Sequence, residues 1–453
     1  MRCGRAAALG LLTAAALALS ACGRGYPGDP PDPAGGPDPP GGHSSIRHSS
    51  VRHSSVRHGS VRHSSVRHSP ISIGYEVPLT GTVALAGKQE QEGWNLGLTV
   101  FGHRVHGHPI VTHFADTGGN PAVALSDAVS LVQQQHVQIM EGPLLASEDA
   151  AVAPYLGIER VPLDNLAICS QTQVTYDAEY GNALSSGWVC NTPDIIAADY
   201  LYQDLGYRHV TVLASDYAFG WLSAGGFIKQ FTRLGGKVDK VLWPPLNATD
   251  YGPYVAGIPS RTQAVFSVTV GAGSIGFTKA YAQFGLRGKI PLYGNTTVFD
   301  YSVLPGEVPS DVLGDQMAAQ YCDGIGNPVN ARFVRLFEQT YHTRPGYYAE
   351  EAYVHAELAV TALKGLAGVA TNPSTLANAL QTTPITAPRG PVTLSPVVDA
   401  PIQNIYICRV ENVHGTLEDV PVKTYPSVQP WGTLPYQTWV TEFTADSIRR
   451  PAP

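Results

Sequence analysis

A glycine-rich segment carries the most recognisable chemical motif in the chain. Gly271-Ala272-Gly273-Ser274-Ile275-Gly276 fits the G-x-G-x-x-G spacing that holds a dinucleotide pyrophosphate, and it lies between an expected strand and an expected helix. The next expected strand, residues 290–293, lacks the acidic residue that would bind the ribose. We therefore expect these glycines to allow close approach to a ligand or helix–sheet packing. A secreted NAD-dependent oxidoreductase built on this loop stays as an alternative.

Two groups of histidines suggest metal binding. They are His43, His48, His53, His58, His63 and His68, followed by His103, His106, His108 and His113. The first group recurs every five residues, a period that neither stacks imidazoles on one helix face nor matches a zinc-ligand spacing. The second group lies in residues 101–114, where glycines and a proline indicate a hairpin with surface imidazoles. We predict no metal site in either group.

Nucleophilic catalysis has little support in the sequence. No G-x-S-x-G elbow is present, and no other serine or cysteine lies in a recognisable catalytic setting. Catalytic triads are recognised by geometry and can be spread through a sequence, so this argument alone is weak. We predict that the protein is not an enzyme, with no catalytic residue and no cofactor.

The first 22 residues have the features of a secretory signal. Arg2 and Arg5 precede a 13-residue apolar run, and Leu19-Ser20-Ala21-Cys22 follows it. The run is shorter than the roughly 20 residues that a membrane span needs. The tetrapeptide is similar to the bacterial lipobox, in which the cysteine is lipidated. We predict export and anchoring to the outer face of the cell membrane through a lipid on Cys22; an ordinary signal peptide with an incidental cysteine is the alternative.

Residues 23–69 are expected to be a disordered tether. Residues 23–42 contain 14 Gly or Pro, and a His-Ser-Ser-Val-Arg repeat follows, so too little apolar surface is available to offset backbone ordering. Residues 1–69 also hold eight Arg and three Asp, which leaves 21 basic against 33 acidic side chains, or −12, in the rest of the chain. Nucleic acid is therefore not an expected partner.

From residue 71 onward, short β-branched runs alternate with helical patterns, which is typical of βαβ units and a parallel sheet. We expect strands at residues 71–77, 110–114, 137–140, 209–214, 264–270 and 290–293. Asn120-Pro121 predicts one helix start, and Asn191 predicts another before residues 192–205. Ser147 is expected to cap a helix between them. The 453-residue chain is too long for one ordinary core, so two lobes are expected.

Short motifs follow one another in a recognisable order through residues 71–410. They are Ile73-Gly74-Tyr75-Glu76-Val77-Pro78-Leu79-Thr80-Gly81, Ala84-Leu85-Ala86-Gly87, Glu92-Gly93, Asp116 with Asn120-Pro121, Gly142-Pro143, Val161-Pro162-Leu163, Asp216-Tyr217-Ala218-Phe219-Gly220, Gly235-Gly236-Lys237-Val238, residues 284–292, and Asn327-Pro328 with Phe333. In this order they resemble the Leu/Ile/Val-binding family of periplasmic solute-binding proteins. The last four resemble its branch for aromatic and other carboxylic solutes.

That resemblance implies an α/β fold of two doubly wound lobes, joined by three hinge crossings, with the ligand in the cleft between them. By analogy the crossings lie near Cys190, near residues 317–322 and near residues 394–398. The predicted lobes are residues 71–190 plus 322–395 for lobe 1 and residues 191–321 plus 396–440 for lobe 2, followed by a tail at residues 441–453. Ligands of open α/β sheets bind beyond the carboxyl ends of the strands, so two such faces can close on a small molecule.

The resemblance also implies the ligand-binding residues. They are Thr80, Gly81, Ser147, Glu148, Cys169, Ser170, Phe219, Gly271 and Thr296. Hydroxyls and free N–H groups in the first lobe suit a carboxylate, although Glu148 and its acidic neighbour would repel an anion. Thr296 stands where relatives have the acid that binds an amino-acid ammonium, and Glu148 is a candidate to replace that acid from the other lobe. Capping or turn chemistry is the alternative role at each position.

Four cysteines follow Cys22, and an oxidising compartment allows two disulfides. Their sequence permits three connectivities. We favour Cys169 with Cys190, because this pair closes the shortest loop and the resemblance places both residues near the edge of the cleft. Buried free thiols are the alternative.

These inferences predict a lipid-anchored extracytoplasmic receptor for a small organic solute, whether carboxylic, amide or amino-acid-like. We expect it to deliver that solute to the permease subunits of an ABC importer, with no membrane contact other than the lipid on Cys22. Because Thr296 cannot pair with an ammonium, a solute without an amino group is favoured. A sensory receptor that feeds a signalling partner is the alternative among binding proteins.

Overall fold

The computed structural model describes residues 68–169 and 181–442. The predicted signal peptide with Cys22, the tether up to residue 67, Ser170 and the tail from residue 443 lie outside the described residues. Within the described ranges, no helix combines the length and the hydropathy that crossing a bilayer requires.

The first sheet is mostly parallel and has the strand order β2-β3-β1-β4-β5-β7. Only β2 runs antiparallel, in a hairpin with β3 whose turn holds His106 and Gly107 at positive φ, as the predicted hairpin requires. The strands are β1 (Ile71–Val77), β2 (Arg104–Val105), β3 (His108–Asp116), β4 (Ile139–Glu141), β5 (Leu163–Asp164) and β7 (Ala183–Leu184). A separate pair joins β6 (Ala167–Ile168) to β8 (Trp188–Val189).

The second sheet has the order β10-β9-β11-β12-β13-β16-β15-β14, and β17 pairs with β16. Pairing is parallel as far as β13 and antiparallel beyond it. Its strands are β9 (His209–Ala214), β10 (Lys237–Leu242), β11 (Ala264–Val268), β12 (Leu292–Asn295), β13 (Gln316–Ala319), β14 (Ile385–Ala387), β15 (Gly390–Leu394), β16 (Pro401–Val413) and β17 (Thr416–Val428). The hairpin β14–β15, which falls within the predicted lobe 1, therefore extends the second sheet. The boundaries of the two lobes stay a prediction.

Helices connect the strands and cover the sheets. They are α1 (Ala84–Phe101), α2 (Pro121–Gln133), α3 (Ala146–Glu159), α4 (Thr192–Asp199), α5 (Ala218–Arg233), α6 (Gly252–Ala256), α7 (Ala272–Gln283), α8 (Thr296–Phe299), α9 (Pro309–Val312), α10 (Pro328–Tyr341), α11 (Tyr347–Gly365), α12 (Pro373–Thr382) and α13 (Tyr436–Glu442). A π-helical turn, Tyr200–Asp204, continues α4, and a 3-10 turn lies at Leu304–Gly306.

Several element boundaries follow the predicted signals closely. Strands β1 and β9 have the predicted bounds, and the Asn120 side chain caps α2 by accepting from the N–H groups of Ala122 and Val123. Strand β12 begins two residues later than predicted. The reason is local, because the N–H of Ile290 donates to Leu286 O and Pro291 has no N–H to donate.

The predicted cap at Ser147 is wrong. Helix α3 begins one residue earlier, at Ala146, and Leu145 occupies the N-cap position. A leucine has no side-chain acceptor, so Glu148 supplies the capping interaction: the Leu145 N–H donates to Glu148 Oε2 at 3.1 Å. Asn191 does occupy the N-cap of α4, but its side chain makes no capping bond and instead accepts from Trp439 Nε1.

Helices α1 and α11 pack closely over the first sheet because small residues lie between them. A Cβ at Gly93 would lie 2.0 Å from Ala349 O, and one at Gly97 would lie 2.5 Å from Ala356 Cβ. Glycine at both positions therefore permits the close approach that fixes α11. This packing sets the position of Tyr347 and Tyr348, the first two residues of that helix.

Both disulfides are formed, and the favoured pairing of Cys169 with Cys190 is present. The second disulfide joins Cys322, just after β13, to Cys408 in β16. Each one closes a chain loop and so lowers the entropy of the unfolded state.

Candidate functional site

A cavity forms where helix starts from both halves of the chain meet. It encloses about 430 Å³ of space between atoms, including the part that opens to solvent. Its lining residues come from segments that are far apart in sequence: Val83, Leu144, Leu145, Ala146, Leu166, Ala167, Cys169, Trp188, Cys190, Tyr217, Phe219, Val270, Thr297, Tyr347 and Tyr348. None of these side chains carries a charge, so the described part of the cavity wall is neutral.

Aromatic rings make up much of this wall. Trp188 lies against both Phe219, at a centroid distance of 5.9 Å, and Tyr347, at 5.8 Å. Tyr217 contacts Phe219 at 6.0 Å, and the rings of Tyr347 and Tyr348 are 3.9 Å apart. The rings therefore form a contiguous apolar surface that suits a flat ligand.

Within the described ranges, at least five helices of eight or more residues begin at the cavity. Val83, a lining residue, is the N-cap of α1. Leu145 and Ala146 start α3, Tyr217 is the N-cap of α5, and Val270 immediately precedes Gly271, the N-cap of α7. Tyr347 is the first residue of α11. The first N–H groups of a helix have no acceptor within the helix, and its amino end carries about half a positive charge. Convergence of these ends makes the neutral cavity electrostatically favourable for an anion.

The polar groups of the wall are hydrogen-bond donors at neutral pH. Burial raises the pKa of Tyr217 well above its usual range, and burial followed by neighbouring charges does the same for Tyr347 and Tyr348. Their hydroxyls therefore stay protonated. Thr297 is committed to the protein, because its Oγ1 donates to Thr269 O at 2.6 Å.

The structure brings some of the predicted site residues to this cavity. Cys169 and Phe219 line it directly. Ser147, Gly271 and Thr296 each lie next in sequence to a lining residue without lining it themselves. Thr296 is buried and its Oγ1 has no hydrogen-bond partner among the described residues. Ser170 lies outside the described residues.

Thr80 and Gly81 lie on an exposed turn rather than in the cavity wall. The N–H of Thr80 donates to Asp116 Oδ1 at 3.1 Å, so it is not the free donor that the sequence suggested. Although burial acts in the other direction, hydrogen bonds from Thr80 and Gly118 lower the pKa of Asp116, which holds this turn through its ionised carboxylate. The turn nevertheless approaches the other half of the chain, because a Cβ at Gly271 would lie 3.8 Å from Thr82 O.

Glu148 is held by the protein through one carboxylate oxygen, while its Oε1 has no hydrogen-bond partner among the described residues. It is fully buried, it does not line the cavity, and its Oε2 caps the start of its own helix. Burial raises the pKa of this carboxyl, which makes it a poorer partner for an ammonium.

The G-x-G-x-x-G spacing serves packing. A Cβ at Gly273 would lie 2.7 Å from Tyr251 Oη, and one at Gly276 would lie 3.1 Å from Tyr251 Cε2. The buried Tyr251 ring thus fills the space that these two glycines leave. The spacing therefore has a structural explanation that requires no pyrophosphate.

Sequence reasoning missed the main aromatic residues of the cavity. Trp188 stands two positions before Cys190, and Tyr347 and Tyr348 open a helix after Gly346. The signal that was available is the paired tyrosine at a helix start, since the first turn of a helix at the edge of a sheet can face a ligand.

Comparison with known proteins agrees with this geometry. A family model described as periplasmic binding protein matches residues 70–415. The Leu/Ile/Val-binding protein homolog 6 of Brucella melitensis biotype 1 is 26% identical over 367 residues, which cover 78% of this chain and 91% of the relative.

Solved structures match along nearly their whole length. An ABC transporter substrate-binding protein from Sphaerobacter thermophilus is 28% identical with a TM-score of 0.75, covering 79% of this chain and 98% of that chain. A solute-binding protein of an ABC transporter from Rhodopseudomonas palustris BisB5, in complex with 3,4-dihydroxybenzoic acid, is 26% identical with a TM-score of 0.75, covering 80% of this chain and 98% of that chain. The predicted resemblance and fold class are confirmed. The chain belongs to the periplasmic binding protein family and has the two-lobed α/β fold of its type I members.

Proposed function

We propose that this protein is an exported receptor that binds a small aromatic carboxylic acid in the cavity and presents it to an ABC importer. One observation carries the proposal: the described cavity wall is aromatic and uncharged, while at least five helix starts converge on it. An aromatic ring would bury its faces against the rings of the wall, and its carboxylate would accept from helix N–H groups.

The nature of the solute follows from which charge the cavity can accommodate. A carboxylate is favoured by the helix ends without needing a cation, whereas an ammonium needs a carboxylate partner once the lobes exclude water. Among the described residues, the wall offers no such partner: Thr296 is neutral, and Glu148 does not line the cavity and caps its own helix through Oε2. The complex of the Rhodopseudomonas palustris protein with 3,4-dihydroxybenzoic acid supports the same choice.

Binding can be tested by thermal shift with the full chain. We expect 3,4-dihydroxybenzoate to raise the melting temperature by a few degrees, because a ligand at 100 times its dissociation constant adds about 2.7 kcal/mol of stability. Leucine, valine and acetamide should give no comparable shift. A larger shift with leucine would return the protein to amino-acid binding, and a shift with acetamide alone would favour amides.

A matched pair of variants tests the location of the site. Phe219→Ala removes a ring from the wall and should weaken binding of the aromatic acid about tenfold or more, since an aromatic contact contributes about 0.5–1.5 kcal/mol beyond its buried area. Phe284 is 51% exposed and lies outside the cavity, so Phe284→Ala is the control and should bind normally. Equal affinity in both variants would place the ligand elsewhere.

Anchoring and delivery are further parts of the proposal. The lipobox-like Leu19-Ser20-Ala21-Cys22 supports a lipid on Cys22, and the similar ABC transporter proteins support delivery to permease subunits. Cys22→Ser should release the protein from the membrane fraction without unfolding it; a variant that stays membrane-bound would contradict the anchor. Uptake of labelled ligand that persists without the cognate permease would favour the sensory role instead.

A further inference from the structure

A row of polar side chains crosses the first sheet where a hydrophobic core would be expected. Tyr75 pairs in register with Glu141, and Glu141 pairs in register with Asp164, on three neighbouring parallel strands. In-register residues of parallel strands point to the same face. That face is covered by α1 and α11, and His355 of α11 contacts the row at Glu141. All four side chains are buried.

Three of these side chains converge with the geometry of a metal site. His355 Nδ1 is 2.9 Å from Glu141 Oε2 and 3.7 Å from Asp164 Oδ2. One ligand atom from each residue lies within 4.8 Å of the other two. Two ligand atoms bound to one tetrahedral ion at about 2.1 Å lie about 3.4 Å apart, so the two measured separations bracket this spacing.

An unpaired ligand atom and a supporting residue are both present. Glu141 Oε1 is buried and has no hydrogen-bond partner among the described residues. An unpaired atom in such a place is rare in folded proteins. Ser186 orients the third ligand, because its N–H donates to Asp164 Oδ1 at 2.8 Å and its hydroxyl donates to Asp164 Oδ2 at 2.7 Å. Outer hydrogen bonds of this kind hold carboxylates in place for a metal.

Buried carboxyl groups outnumber buried cations in this region. Among the described residues, Arg389 is the one buried side chain with a fixed positive charge. It is already paired with Glu350 and also donates to Gln403 and to the carbonyls of Ser186 and Gly187. Nearby buried carboxyl groups with no lysine or arginine ion pair among the described residues include Glu90, Glu141, Asp164 and Glu351.

We propose that Glu141, Asp164 and His355 bind one divalent transition-metal ion of the zinc class. One imidazole nitrogen and two carboxylate oxygens are ligands that Zn²⁺ accepts, and the ion's charge would balance both carboxylates. The ion would join the ends of β4 and β5 to the middle of α11. His355 is two turns, about 12 Å, along α11 from Tyr347, so the site would stiffen the helix whose start lines the cavity.

The test is metal content in the full chain. The histidines of the His-Ser-Ser-Val-Arg repeat are replaced by glutamine throughout, so that they cannot bind the metal. The protein is expressed with added ZnCl₂ and dialysed, and its zinc is counted by mass spectrometry. We expect one zinc per chain, and its loss in both Glu141→Gln and His355→Gln. Glu76→Gln is the matched control, because Glu76, like Glu141, is a buried carboxyl of the first sheet. Glu76 follows Tyr75 in β1, so its side chain points to the face of the sheet opposite the metal site.

Two readouts keep the proposal open to failure even if a variant does not fold. The protein with Glu141, Asp164 and His355 unchanged should have a higher melting temperature after refolding with ZnCl₂ than after refolding with a chelator. After refolding with CoCl₂ it should show the visible absorption of tetrahedral Co²⁺. Absence of bound zinc after both expression and refolding would overturn the proposal. So would one zinc per chain that persists in Glu141→Gln and His355→Gln.

Discussion

The central strands of the two sheets carry different polar chemistry at comparable depth. In β1, β4 and β5 of the first sheet, the buried carboxyl groups are Glu76, Glu141 and Asp164. In β9, β11 and β12 of the second, the buried polar side chains are hydroxyls and one amide, namely Thr211, Ser267 and Asn295. Neutral groups need only hydrogen bonds when buried, whereas carboxyls need protons or cations. Stability should therefore depend on pH and charge through β1, β4 and β5 more than through β9, β11 and β12.

The largest expected effect comes from Arg389, which lies in the turn between β14 and β15 and pairs with Glu350 of α11. Arg389→Met removes the partner of Glu350, and both side chains are fully buried. We expect a loss of about 3–5 kcal/mol in the free energy of unfolding, because a buried charge is left without its pair. Chemical denaturation measures this loss.

An exposed ion pair supplies the control for that substitution. Arg409 and Glu411 are 43% and 39% exposed, so Arg409→Met should cost less than about 1 kcal/mol. Similar losses in Arg389→Met and Arg409→Met would show that burial does not set how much an ion pair contributes to the stability of this protein.

The next effect is a pH dependence assigned to Glu76. Burial, and then the nearby carboxylates of Asp127 and Glu148, raise the pKa of Glu76 from 4.5 to about 9. The folded protein therefore binds one more proton than the unfolded chain between these values, and stability falls as pH rises through this window. The slope contributed by this group is at most about 1.4 kcal/mol per pH unit.

Glu76→Gln should remove that contribution. Urea unfolding between pH 5 and pH 9 should show a shallower decline in the variant than in the unsubstituted protein, with the largest gain in stability near pH 9. Parallel pH profiles for the two proteins would mean that Glu76 is ionised in the folded state.

The smallest effect is expected in the second sheet. Thr297→Val removes the hydroxyl that donates to Thr269 O while keeping the shape of the side chain. We expect a loss of about 1 kcal/mol that is the same at pH 5 and pH 9. A loss that changes with pH would break the contrast between the sheets.

Local sequence signals predicted much of the fold. Strands β1 and β9 have the expected bounds, and Asn120 caps α2, because apolar pattern and capping act between residues that are close in sequence. The predicted cap of α3 at Ser147 is wrong, because the side chain of Glu148 caps this helix by accepting from the Leu145 N–H. Serine and glutamate are both common in the first turn of a helix, so the sequence alone does not distinguish the two.

The site was harder to predict because tertiary packing creates it. Trp188 and Tyr347 are 5.8 Å apart between ring centroids although far apart in sequence, and nothing local marks Trp188 as a wall residue. The burial of Glu141 and His355 is likewise set by the two helices that cover the first sheet. Family resemblance located the cavity region through Cys169 and Phe219, but it did not provide Trp188, Tyr347 or Tyr348.

Calorimetric titration of the purified full chain with 3,4-dihydroxybenzoate and with leucine tests the central claim most directly. An uncharged aromatic cavity at converging helix starts predicts binding of the aromatic acid at micromolar or lower concentration. It also predicts leucine affinity at least about 100-fold weaker, because an unpaired buried ammonium costs several kcal/mol. Leucine binding as tight as that of 3,4-dihydroxybenzoate, or no binding of the aromatic acid, would contradict the account.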